Sequence, residues 1–178
     1  MKNKTTLIIA VISFLFSFTI LTGIKTIAQE PSKEEVRNEF CERLKGSDGV
    51  CLLVEVITRN KSDEKSLTKD IENEVKEQLE NSKIKILTKE ESDAAPGLPR
   101  LSIHVITYKE PSQKDVFMYS FRIVHYEIAS LLRTERYVEG TCWDSGLYIG
   151  MEKSSDITKA VKKQMNKYIN DYLSVNTN

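Results

Sequence analysis

The sequence predicts an α+β fold of two layers, with a mixed four- to five-stranded sheet and two or three amphipathic helices on one face. Three observations carry this. The run Val50 to Thr58 (VCLLVEVIT) is apolar and β-branched on both sides of the pleat except at Glu55, the pattern of an interior strand. A helical stripe and a second short strand follow it, the order of a right-handed parallel crossover. The last helix has an apolar face so wide that it needs a sheet to bury it.

Each element has a local reason. Ser32-Lys33-Glu34-Glu35 has the S-x-x-E form of a capping box, and Val36, Phe40 and Leu44 follow at helical spacing until Gly46 and Gly49 end the helix. The strand Val50 to Thr58 comes next, then a polar loop, Arg59 to Lys65. Leu67 to Glu80 predicts a second helix, with Leu67, Ile71, Val75 and Leu79 on one face. Ile84 to Leu87 reads as a short strand, and Thr88-Lys89-Glu90-Glu91 as a second capping box opening a turn or two of helix. Leu101 to Tyr108 alternates, with Leu101, Ile103 and Val105 opposed to Ser102, His104 and Ile106. Val116 to about Leu132 and Tyr137 to Asp144 form a hairpin. Centring its turn on Thr134-Glu135 keeps Arg133, Glu135 and Arg136 in solvent and pairs Tyr126 with Trp143 and His125 with Asp144. Ser145 to Lys153 reads as a loop. Ser155 to Ser174 is the last helix, with Ile157, Ala160, Val161, Met165, Tyr168, Ile169, Tyr172 and Leu173 on its apolar face.

Residues 1–28 stand apart from this fold. Lys2 and Lys4 precede an uncharged run from Leu7 to Ile24, and Thr26-Ile27-Ala28 places small residues at a cleavage position. This is the pattern of a signal peptide, with an N-terminal membrane anchor as the alternative. Both place the remainder, a single α+β domain over 29–175 with a frayed tail at 176–178, outside the inner membrane: periplasmic, secreted or anchored facing outward. The 178 residues carry 26 basic and 26 acidic side chains. Losing Lys2, Lys4 and Lys25 with the leader leaves 23 against 26, a net charge of −3. A mildly acidic domain lacks the basic footprint that nucleic acids require.

Cys41, Cys51 and Cys142 allow at most one internal bridge. Cys41 and Cys51 flank the Gly46 to Gly49 turn and could pair; the alternative is that all three are small buried apolar residues.

The chain offers few groups for chemistry. Its two histidines, His104 and His125, are expected about 17 Å apart at ~3.4 Å per residue, too far to share an ion, so no metal and no cofactor is expected. The expected pairing of His125 with Asp144 offers a weak acid–base dyad without an identified nucleophile. Glu55 in the central strand needs a partner, for which Arg122 is the natural candidate, or a wet position. Trp143, Tyr148 and Tyr137 could form an aromatic contact patch. Lys159, Lys162, Lys163 and Lys167 form a basic stripe on the last helix that could meet anionic lipid or an acidic partner.

The segments VCLLVEVI, KIKILTKEES, PGLPRLSIHV, the hairpin closing on TCWDSG, and KYINDYLSVN together resemble a group of small exported bacterial proteins of unassigned function. Over about Val50 to Val175 the layout is similar to the amino-terminal domain of the periplasmic protein TolB and, more loosely, to envelope lipoproteins. The lipoproteins would carry an acylated cysteine after the leader, where this chain has Gln29. With no nucleophile beside a base, no ligand cluster and no phosphate-binding glycine loop, the sequence reads as an exported, envelope-associated, non-catalytic domain that binds another envelope protein or a small ligand. The alternatives are a hydrolase-like enzyme using His125 and Asp144, and a membrane-surface protein using the last helix.

Overall fold

The strand predicted from Val50 is the first element of a five-stranded sheet. A computed structural model describes residues 41–59, 61–109, 116–131 and 136–176, all within the compact unit Arg37–Asn178. The expected leader and the helix expected to begin at Ser32 lie outside the described residues, except for helical backbone at 41–43. The elements are β1 (Cys51–Ile57), α1 (Lys61–Asn81), α2 (Lys89–Ala94), β2 (Arg100–Lys109), β3 (Val116–Leu131), β4 (Arg136–Asp144), β5 (Tyr148–Lys153) and α3 (Ser154–Asn176). The architecture is a two-layer α+β domain with a mixed sheet, as the sequence predicts.

The sheet order is β1-β2-β3-β4, with β5 also paired to β3. β1 and β2 are parallel; the remaining pairs are antiparallel. The crossover after β1 is also parallel, but Ile84 to Leu87 forms one bridge, Val50 with Ile86, rather than a strand. Thr88 explains the early stop. Its side chain accepts from the Glu91 N–H while its own N–H donates to the Glu91 carboxylate, a complete capping box that turns the chain into α2.

β3 is the spine of the sheet. β2 lies along one of its edges, and β4 and β5 lie end to end along the other. The segment expected as a loop from Ser145 to Lys153 is therefore a loop only at Ser145 to Leu147; the rest is β5. Gly150, inside the segment expected as a loop, is what the strand needs. The Tyr119 ring lies over it, so a Cβ there would sit 2.6 Å from Tyr119 Cζ.

The registers shift by two residues from expectation. A turn at Glu110–Lys114 that pairs Tyr108 with Val116 would place His104 opposite Ser120; Tyr108 instead pairs with Met118, which sets His104 opposite Arg122. In the β3–β4 hairpin Tyr126 pairs with Thr141, and an irregularity between His125 and Tyr126 then brings His125 opposite Trp143. A two-residue slip preserves faces, whereas the added bulge residue moves Trp143 to the other side of the pleat.

One face of the sheet receives α1 and α3. Leu67, Ile71, Val75 and Leu79 of α1 and Ile157, Val161, Met165 and Tyr168 of α3 close over Leu101, Ile103, Val105, Phe121 and Ile123. Helix α1 starts earlier than its apolar stripe because Lys61 to Ser66 add polar turns, with Asp63 and Glu64 favourable at a helix start. Gln78 of α1 reaches the Lys162 carbonyl and Asn166 Oδ1 of α3, joining the two helices.

Candidate binding face

The second face of the sheet has no helix on it among the described residues. β1 was expected to be covered on both sides. It is half covered: Val56 is buried and Val54 packs on the core, whereas Leu53, Glu55 and Ile57 are exposed. The strand ladder gathers the apolar side chains of this face. Ile57 stands beside Ile106, Ile106 beside Ser120, and Ser120 beside Ile149; in the next row Tyr108, Met118 and Met151 are neighbours. Ile57, Ile106, Met118, Ile149 and Met151 are each between 51 % and 73 % exposed. Scattered exposed apolar residues are ordinary; this set is contiguous across four strands.

A polar row borders this patch. Glu55 Oε2 lies 3.0 Å from His104 Nδ1, and His104 pairs in register with Arg122. Arg122 Nε donates to both Asp144 carboxylate oxygens at 3.0 and 3.1 Å. These bonds from Arg122 hold the Asp144 carboxyl below its ordinary range and raise the Arg122 guanidinium above its own. The partner of Glu55 is thus His104, with Arg122 one strand further on. β4 and β5 form the outer edge on this side, with Tyr137, Leu147, Ile149 and Met151 exposed. An edge of this kind can accept an added strand.

The other candidates fall in different places. His125 and Asp144 do not meet. His125 is wholly buried under α3, with Nδ1 2.9 Å from the Tyr168 hydroxyl and Nε2 3.2 Å from Glu127 Oε1. Asp144 belongs to the opposite face. Cys142, the nearest thiol in sequence, is pushed up to about 11, first by burial and then by the Glu127 charge, which keeps it protonated. The aromatic trio is dispersed as well. Trp143 is buried, donating from Nε1 to Asp171 Oδ2 at 3.0 Å and meeting Tyr168 edge-on at 5.2 Å. Tyr148 stacks on Phe121, and Tyr137 stands in solvent at the far end of β4.

On α3, Lys159 pairs with Asp156 at 2.7 Å and Lys162 with Glu74 at 2.6 Å; Lys163 and Lys167 are exposed. Half of the basic stripe is therefore neutralised locally. None of Cys41, Cys51 and Cys142 is in a disulfide, so the Cys41–Cys51 bridge is not formed in this structure. The turn between the first two docks on α3 instead. The Gly46 N–H donates to Asn176 Oδ1, the Tyr172 hydroxyl donates to the Ser47 carbonyl, and the Cys51 N–H is held by the Pro99 carbonyl. Among the described residues no three His, Cys, Asp or Glu side chains gather as metal ligands, and no helix is long and apolar enough to cross a membrane.

The open face escaped the sequence reading, although one signal was visible. Ile106 continues the Ser102 and His104 side of β2, where a solvated strand would carry a polar residue. No protein-family model, curated protein or solved structure matches the chain.

Proposed function

We propose that this is a non-catalytic binding domain of the cell envelope that holds another protein against the open face of its sheet. The contiguous exposed patch of Ile57, Ile106, Met118, Ile149 and Met151 carries the reading. Burying such a patch releases roughly 25 cal/mol per Å² of apolar surface. The row of Glu55, His104, Arg122 and Asp144 supplies a polar rim of both signs, and the β4–β5 edge offers backbone groups for strand addition. An envelope address rests on the leader pattern and on the likeness in layout to the TolB amino-terminal domain. The separation of buried His125 from Asp144 removes the geometry on which a hydrolase reading depended.

The test is a charge placed in the patch. Ile106→Lys with Ile149→Glu alters two exposed side chains. The double variant should fold with an unchanged far-ultraviolet spectrum and lose crosslinking to its envelope partner. Undiminished crosslinking would contradict the proposal.

A further inference from the structure

The open face is ordered in rows as well as in strands. Across β1, β2, β3 and β5 one row holds Ile57, Ile106, Ser120 and Ile149. No side chain in it is charged, and its three isoleucines are between 52 % and 73 % exposed. The rows on its two sides differ in character. Toward the start of β1 stand Glu55, His104 and Arg122. Toward its end stand Arg59, Tyr108 and Met118, with Arg59 Cζ 4.7 Å from the centre of the Tyr108 ring.

We infer that the occupant of this face is a second copy of the chain, related by a two-fold axis along the uncharged row; the inference rests on the open-face reading proposed above. On such an axis each side chain meets its own counterpart, so the central row must suit itself. Isoleucine against isoleucine does, and so does the Ser120 hydroxyl, which can both donate and accept. The same operation lays each flanking row over the other. Glu55 comes over Arg59 of the second copy and Arg59 over its Glu55, two contacts between opposite charges. His104 comes over a Tyr108 ring, and the Arg122 stem over Met118. An axis one row to either side would set Glu55 against Glu55 or Arg59 against Arg59, so the charges single out the central row.

The size agrees. Four strands at about 4.8 Å and four rows, from Leu53 to Arg59, at about 6.8 Å give a flat footprint of roughly 500 Å². Side chains standing on it raise the accessible area toward the roughly 800 Å² per copy of a standard interface. Two aligned sheets about 10 Å apart then form a sandwich, covered on its outer sides by α1 and α3 of each copy. With 26 basic and 26 acidic side chains, the chain has little net charge to hold two copies apart.

The test is sedimentation velocity of the purified full chain over a concentration series, in the wild type and in charge reversals. The expected result is a monomer–dimer equilibrium. Ile106→Lys sets two ammonium groups face to face on the axis and should weaken the dimer about a hundredfold or more. Glu55→Arg or Arg59→Glu alone should weaken it about tenfold, since symmetry breaks two contacts at once. Combining the two reversals should restore it to within about threefold, a rescue that loss of structure cannot imitate. Monomer at every concentration, a dimer indifferent to Ile106→Lys, or no rescue in the combined reversal would overturn the inference. Photocrosslinking in the envelope separates this from the open-face reading. Adducts from the sheet positions of a size other than twice the chain would overturn the second copy and leave that reading standing. No adduct from any sheet position would end both.

Discussion

Replacing Gly150 with alanine tests whether β5 is seated on β3 as described. A methyl group at this position would meet Tyr119 Cζ and Oη at 2.6 Å and Cε1 at 2.8 Å. The Tyr119 ring cannot simply turn aside. It is buried, stacked between Phe121 and Tyr148, and its hydroxyl donates to Glu152 Oε2 at 3.0 Å. Overpacking of this kind costs about 1–3 kcal/mol, while alanine gains roughly 0.5–1 kcal/mol over glycine from backbone entropy in a strand. Because the overlap is with a buried ring held on both sides, the upper part of that range, about 2–3 kcal/mol, applies, and the net expectation is about 1–2.5 kcal/mol of destabilisation, or roughly 2–10 °C in Tm for a domain of this size. Urea unfolding followed by circular dichroism measures it. A companion variant identifies the cause: in a Tyr119→Ala background the same alanine should be harmless, giving a coupling energy of about 1 kcal/mol or more. A neutral or stabilising Gly150→Ala would show that Tyr119 does not rest on Gly150, and the account of β5 would fail.

Two further substitutions probe the polar devices. Thr88→Ala removes the accepting oxygen of the α2 capping box and should cost about 0.5–2 kcal/mol, read from the urea midpoint. Asp144→Asn should lower stability at neutral pH and remove part of the acid sensitivity. Because Arg122 depresses the folded-state value of Asp144, its contribution is fully present above the unfolded carboxylate value of 3.8. It is lost as pH falls through the lower folded value, so the wild-type and variant curves should converge in that acid window. The effect is modest, since the Arg122 side chain is about half exposed and screened by solvent.

The elements legible in the sequence are those set by local physics. The apolar stripe of α3 keeps one period for five turns, the stripe of α1 is equally plain, and Thr88 with Glu91 announces a cap that forms with both of its hydrogen bonds. What was not legible depends on partners. Tyr148 to Lys153 carries a glycine whose purpose appears only when Tyr119 is placed above it. The expected meeting of His125 with Asp144 failed on a register slip and one bulge residue, which no propensity encodes. The candidate face was half visible. Ile106 was out of place on its side of β2, but its neighbours Ile57 and Ile149 come from strands more than forty residues away, and only the ladder brings them together.

The central claim is that the open sheet face, and not the helix layer, meets the partner. The most direct measurement is site-specific photocrosslinking in the envelope, with the reactive group placed in turn at Ile106, Met118 and Ile149 and, on the helix side, at Lys163 and Lys167. Adducts of one size from the three sheet positions and none from the two helix positions are expected. Adducts confined to Lys163 and Lys167, or none from any sheet position, would contradict the account.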